Sequence, residues 1–507
     1  MKRKTIYLLL FLSLFIGGFL RIKNISTNPP ELFSDEIVPV LSSQNIIKTG
    51  QDINGKLMPF FYDKLQLYPP IYGYLTIPSI YFFDLNVFSI RLPGVIAGVL
   101  TLYIIFLLTR ELLGNNKVAL FSVFFLSIIP WAIHFSRSNG TQSLFLLFIL
   151  TPILFFLKFI RKKSLTHLYL SLSFFALSFY SYAASSVLSP IFLVLLTLLY
   201  RKNLRIVIKH YVLALFIAFT ILLPFFYISI NEPELMNGRS IRISTFAQGV
   251  NKDTTLTFIK NYFSHFSLDF LFYKGDTNLR QGTAKNGVLY LSMLPLLILG
   301  IYLSIKNIKK TEYKLLLAWI FIFPLGGSLT NDGVPHATRT LIGAPVFVIF
   351  SAIGLNFIIE NINKIKQKKA RAVSAVLIIT LVLGVFFLEV LYFYKIYFTQ
   401  YPVYSSPWWE YGQREVFETV RQNTQSDDTL CLTNIDYWHE ETLTKYYLGV
   451  NNNYKIIYNL DNPNCLESNI LVLSPDRTVH NNYRLIKTVY SLEGNPIWNI
   501  YKLFIHF

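Results

Sequence analysis

MKRKTIYLLLFLSLFIGGFLRIKNISTNPPELFSDE, residues 1–36, decides how the rest of the chain is read. Lys2, Arg3 and Lys4 open an apolar run over 4–22, and an acidic pair, Asp35-Glu36, follows about a dozen residues beyond it. A run of roughly 20 apolar residues crosses the hydrocarbon core of a bilayer as a helix, because only a helix satisfies its own backbone there. This run is too long for a signal peptide, and Gly17-Gly18-Phe19-Leu20-Arg21 offers no small-x-small cleavage pattern, so it is expected to remain as an anchor.

The same pattern recurs. Further spans are expected at approximately 87–109, 118–136, 142–160, 165–182, 184–200, 208–230, 287–304, 315–330, 340–359 and 372–394, about eleven transmembrane helices in all. Composition agrees: 53% of the 507 residues are hydrophobic and 15% charged, with 45 Phe and 32 Tyr. A soluble protein could not hide that much apolar surface; lipid covers it. The net charge of +18 would point to nucleic acid if the cations formed one patch on a soluble domain. They fall instead in short clusters between the apolar runs, so membrane lipid is the expected partner and nucleic acid is not.

Those clusters orient the chain. With the N-terminus inside, every inner segment is basic: Lys2 to Lys4, Arg110 to Lys117, Arg161 to Lys163, Arg201 to Lys209, Lys306 to Lys314 and Lys364 to Arg371. The outer stretch 24–85 instead carries Glu31, Asp35, Glu36, Asp52, Asp63 and Asp84 against three lysines. This is the positive-inside bias, and it puts the C-terminus outside. Three polar pieces then share the outer face: loops 24–86 and 231–286, and the stretch 398–507. The last reads as a small α/β domain, with a helix over 411–424 and strands at 429–434, 455–459, 470–474, 485–491 and 497–504; residues 1–397 form the membrane module. Glu493-Gly494-Asn495-Pro496 is the turn between the last two strands.

Several outer motifs could do chemistry. A carboxylate of Asp35 or Glu36, held at the membrane surface, is suited to act as a general base on a lipid-linked substrate; the plainer reading is a solvated acid pair. Asp63-Lys64 and Tyr68-Pro69-Pro70-Ile71-Tyr72 mark the chain's return to the membrane, stiffened by two prolines. Arg91 either holds a phosphate or snorkels to the interface. Arg137, in the short outer turn before Gln142, runs against the charge bias and calls for a partner such as phosphate. His265 to Arg280, including Lys274 and Asp276, and Asp332 to Arg339, including His336, bring further cations to the same face. Glu389, inside the last apolar run, is a functional candidate or an interfacial acid. The only cysteines, Cys431 and Cys465, include no CxxC, so no thiolate metal site is expected; whether they pair is left open.

In order and spacing these motifs resemble bacterial members of glycosyltransferase family 39, relatives of the protein O-mannosyltransferases and of the enzyme that adds aminoarabinose to lipid A. The resemblance runs through Asp35-Glu36, Tyr68 to Tyr72, Arg91 to Gly94, Pro130 to Arg137, Asp269 to Arg280, Pro335 to Arg339 and Tyr401 to Trp409, about residues 1–425. It implies the GT-C membrane fold in a bacterial cytoplasmic membrane. It also implies transfer of a sugar from a polyprenyl-phosphate donor to a lipid, protein or glycan acceptor on the outer face, with inversion. Asp35 matches the family's base, with Glu36 beside it. Arg280 and Arg339 are the foremost phosphate-binding candidates, followed by Lys274, Arg137, Arg91 and Lys64. Tyr68, Pro69, Pro70, Tyr72, His265, Asp276 and His336 are expected in the substrate pocket. No cofactor is assigned, and a divalent metal stays open. The rival from another class is a transporter or flippase of lipid-linked glycans, which would need charged residues in mid-span; few are present. A third reading is a scaffold whose outer domain binds envelope glycans.

Overall fold

The computed structural model describes residues 3–504 other than 58, 60–67, 139, 366, 368–372, 374–383, 426, 433–439, 450–452, 459–461, 478 and 480. The chain divides into two compact units. One comprises Met1–Lys23, Pro59–Ser79 and Arg91–Ile396; the other comprises Asn24–Met58, Ile80–Ile90 and Tyr397–Phe507.

The first unit is helical. Among the described residues five helices are long and apolar enough to cross a membrane: Arg3–Ile22, Val87–Leu113, Thr141–Lys162, Ile208–Asn231 and Gly343–Lys364. The pair Asn116–Ile128 and Pro130–Arg137, bent by 57°, makes up to six. Leu165–Leu177, Ser185–Leu199, Leu294–Lys306 and Thr311–Ile322 occupy other expected spans as shorter helices. Of the last expected span, residues 384–395 are helical, and most of the rest lies outside the described residues. On Ile208–Asn231 the exposed side chains include Phe216, Phe219, Phe226, Tyr227 and Ile230, an apolar surface of the kind that lipid covers.

The bend has a chemical cause. Pro130 has no N–H, so the carbonyl of Leu126 loses its helical donor. The Trp131 N–H turns away to the Val288 carbonyl at 3.3 Å, which frees the carbonyl of Ser127. Both are taken by Arg21 of the first helix: its guanidinium donates to Ser127 O at 3.0 Å and to Leu126 O at 3.3 Å. Tyr290 Oη donates to Ile128 O at 2.8 Å. A break that would leave bare carbonyls in hydrocarbon is therefore closed by side chains from distant parts of the chain.

Glu389 has a similar task. Its two carboxylate oxygens accept from Leu291 N and Ser292 N at 2.9 and 3.0 Å, at the start of the helical segment that runs on to Lys306. A negative group there satisfies orphan donors and meets the positive end of the helix. The acid that stood out in an apolar run is a cap.

The second unit is built on a five-stranded sheet: β1 Thr429–Leu432, β2 Lys455–Ile457, β3 Ile470–Leu473, β4 Tyr483–Tyr490 and β5 Pro496–Leu503, in the order β2-β1-β3-β5-β4. β1 is parallel to β2 and β3; β5 is antiparallel to β3 and β4. Alternation along the strands divides the core. Leu430, Leu432, Ile470 and Val472 face one side with Val416, Phe417 and Val420 of the helix Gln413–Asn423. Cys431, Leu471 and Leu473 face the other with Cys465. With both faces covered, β1 and β3 read as unbroken apolar runs. Cys431 and Cys465 form a disulfide, Cα to Cα 5.3 Å.

The expected outer loop 24–86 is not all loop. Ser34–Thr49 is a helix whose Ile37, Val40 and Leu41 enter the same core as β1 and β3, together with Ile80, Val87 and Ile90. The second unit therefore takes in 24–58 and 80–90 as well as the sheet. Helices also stand at Pro233–Ile243, Lys252–Ser264 and Glu440–Leu448, where polar loops and strand connections were expected.

Candidate active site

Within the second unit, Asp35 is the second residue of its helix, where a carboxylate meets the positive helix end. It is partly exposed, whereas Glu36 is buried. Glu36 Oε2 accepts from Phe33 N at 3.1 Å, closing the first turn, so its carboxylate is turned inward as a cap and Asp35 is the outward acid of the pair. The approach to this helix is also fixed. Asn28 Nδ2 donates to Tyr397 O at 2.8 Å, and Glu31, nearly inaccessible, accepts from Arg414 Nη2 at 3.0 Å. Tyr447 stacks on Phe417 with centroids 5.0 Å apart, and burial followed by the Glu31 charge holds its hydroxyl well above the usual tyrosine range.

Within the first unit, three of the sequence motifs meet. A β-carbon on Gly140 would fall inside the Tyr72 ring, so only glycine lets the turn after Pro130–Arg137 lie on Tyr72. Tyr72 packs with Ala97, which follows Arg91 to Gly94, and with Leu144. Pro70 is buried there; Tyr68 and Pro69 are partly exposed. Arg91 and Arg137 are each 1% exposed. Arg137 Nη1 donates to the carbonyls of Leu20 and Arg21 at 2.8 and 3.0 Å, the last turn of the first helix. The partner its position called for is a helix end. Lys64 lies outside the described residues.

The redirected helix also holds two loops. Trp131 Nε1 donates to Ala337 O at 2.8 Å, and His134 Nε2 donates to Arg280 O at 2.9 Å. Thr338 Oγ1 donates to Gln281 Oε1. Two neighbouring amides, His336 N and Ala337 N, are gripped by buried side chains. His265 Nε2 accepts the first at 3.0 Å and Asp276 Oδ2 the second at 2.9 Å, while Asp276 Oδ1 accepts from Asn278 N at 2.9 Å. Because Nε2 accepts, the His265 proton sits on Nδ1, which donates to Asn261 O at 2.8 Å. Burial lowers the His265 pKa to about 4 and raises that of Asp276 to about 6, the latter against hydrogen bonds and Arg339 that favour the ion. Loop 231–286 is further stitched by Thr245 Oγ1 to Ser328 O at 2.9 Å.

The remaining cations differ in burial: the Arg339 side chain is 12% exposed and that of Lys274 60%. Arg339 Nη2 stands 3.3 Å from Asp332 Oδ2 in its own turn, and Lys274 Nζ 3.0 Å from Asp269 Oδ2 in the open. Arg280 is partly exposed, its backbone fixed by His134 and by Asn278 Oδ1. His336 is buried, its N–H held by His265. Among the described residues no three of His, Cys, Asp and Glu group as a metal would require. Sequence reasoning missed Glu31 and Arg414, whose separation of 383 residues hides them, and Tyr290. Arg21, an arginine closing an apolar run, carried a signal that could have been used.

Residues 68–228, about a third of the chain, match the family model for dolichyl-phosphate-mannose-protein mannosyltransferases. ArnT from Cupriavidus metallidurans bound to undecaprenyl phosphate superposes with a TM-score of 0.62 at 12% identity, over 99% of this chain and 98% of that one. The fold is that of the GT-C glycosyltransferases. The archaeal oligosaccharyltransferase AglB from Archaeoglobus fulgidus, in complex with an inhibitory peptide and a dolichol-phosphate, superposes with a TM-score of 0.57 at 14% identity, covering 90% of this chain and 64% of that longer one. No curated protein matches by sequence. The chain thus has the GT-C fold, with several helices apolar enough to cross a membrane and a small C-terminal sheet, and over residues 68–228 it resembles a mannosyltransferase family.

Proposed function

We propose that this GT-C protein moves a sugar from a polyprenyl-phosphate-linked donor to a hydroxyl-bearing lipid, protein or glycan on the outer face of a bacterial cytoplasmic membrane. The observation that carries the reading is Asp35, an outward carboxylate on the first turn of a helix that starts twelve residues after a membrane-crossing one. The lipid phosphates held by the two solved relatives support the donor class. The basic inner segments and the Cys431–Cys465 disulfide, a bond that persists in oxidising compartments, support the orientation.

In this reaction the acceptor oxygen attacks the anomeric carbon from the face opposite the phosphate, and Asp35 takes its proton. The bond from that carbon to the phosphate oxygen breaks, and the electron pair leaves with polyprenyl phosphate. Inversion follows. A phosphate needs little acid help if cations meet its growing charge, and that role falls to Arg280 and Arg339, with Lys274 behind them. Arg91 and Arg137 are too deeply placed to lead. Purified protein in detergent is expected to transfer sugar from a polyprenyl-phosphate donor, and Asp35→Asn to abolish transfer. Unchanged turnover in that variant would remove Asp35 as the base.

A further inference from the structure

We infer that the Glu31–Arg414 ion pair positions Asp35, so that the C-terminal sheet belongs to the catalytic apparatus; this rests on Asp35 being the base. The helix carrying Asp35 shares one core with that sheet, through Ile37, Val40 and Leu41 against Val416, Phe417, Leu430, Leu432 and Leu443. Those three positions are three and four apart and so lie on one face. They fix the body of the helix and leave its first turn, which carries Asp35, to be set by the segment that leads in.

That segment, 24–33, has no regular helix or strand of its own to hold it. It is tied twice to the C-terminal stretch, by Asn28 to the Tyr397 carbonyl and by Glu31 to Arg414. The Glu31 carboxylate is 5% exposed, and a buried carboxylate persists as an ion only when paired. The backbone that carries Arg414 is closely packed, although its side chain is 43% exposed: it stands on the first turn of Gln413–Asn423, after Gly412 at φ 96°, where a β-carbon would press on Ile497, Val489 and Trp498 of the β4–β5 hairpin region. The charge that seats Glu31 is thus held by the sheet, four residues before the acid that takes the proton. Arg414 is a positioning residue, and its loss is expected to act on turnover and not on donor binding.

The test is steady-state transfer by the full-length protein, comparing Arg414→Gln, Arg414→Lys and Glu31→Gln, with Asp35→Asn alongside. Arg414→Gln is expected to lower kcat on the order of tenfold to a hundredfold, the scale of a misplaced catalytic group. Donor KM should stay within about twofold of wild type, and Arg414→Lys should recover part of the rate. If Arg414→Gln does not fold, Glu31→Gln, which removes the buried charge, is expected to show the same loss of kcat. Wild-type kcat in a folded Glu31 or Arg414 neutral variant, with Asp35→Asn inactive, overturns this inference and leaves the base in place. An active Asp35→Asn overturns both.

Discussion

The two units solve the same problem by different means. In the sheet unit the backbone pairs with itself through a ladder, both faces are covered by apolar side chains, and a disulfide closes the far face. In the helical unit the backbone is satisfied locally only until a helix stops or bends; then long polar side chains from elsewhere must reach in, as Arg21, Tyr290, Arg137 and Glu389 do. A helix end in hydrocarbon has no water to fall back on. The membrane unit therefore depends on single side chains where the sheet unit depends on many equivalent bonds.

If that contrast is right, the greatest damage comes from Arg21. Arg21→Met leaves the Leu126 and Ser127 carbonyls bare and is expected to cost roughly 2–6 kcal/mol, at 1–3 for each buried orphan. Thermal unfolding in detergent measures it, and a change below about 1 kcal/mol would break the comparison. Next comes the sheet unit's own fastening. Replacing Cys431 and Cys465 together by Ala opens a loop of 34 residues and is expected to cost about 3–4 kcal/mol. Only unfolding of the sheet unit should move, and reductant should reproduce the effect on the wild-type chain.

The loop grip adds a pH test. His265, held neutral by burial, takes up its proton near pH 4 in the folded chain and near 6.5 when unfolded, so it withdraws stability as pH falls between them. Asp276 is reversed: it protonates near 6 folded and 3.8 unfolded, so it adds stability as pH falls through that window. Each is worth about 3 kcal/mol and they nearly cancel. Asp276→Asn should therefore leave a protein that loses stability from pH 6.5 to 4, and His265→Gln one that gains it. Equal slopes in the two variants would break the account. The smallest effect is Glu389→Gln, which keeps one acceptor and weakens the charge at a helix start, costing about 1 kcal/mol by the same thermal measurement.

Much of this was legible in the sequence because it is local. Apolar runs announce helices in lipid, and in the C-terminal part short β-type runs, with the turn at 493–496, mark the strands within a few residues. The acid pair Asp35-Glu36 stands out for the same reason, lying just beyond a span, and its part in the chemistry belongs to the proposal. The rest is relational. The stretch 118–136, read as one span, is bent at Pro130, and what closes the break depends on residue 21. Arg137 reads as a phosphate ligand until the first helix is seen to end beside it. The helix Ser34–Thr49 offers only Ile37, Val40 and Leu41 as a periodic face, too few to announce a core whose other half lies beyond residue 413.

That last separation has a consequence in time. A ribosome adding about 5–20 residues each second needs roughly 20–80 s to travel from Glu31 to Arg414. Throughout that interval Ile37, Val40 and Leu41 can meet Ile80, Val87 and Ile90 but not the half of their core that lies beyond residue 413. Slow synthesis lengthens that wait, and a chain truncated before residue 413 never completes this core.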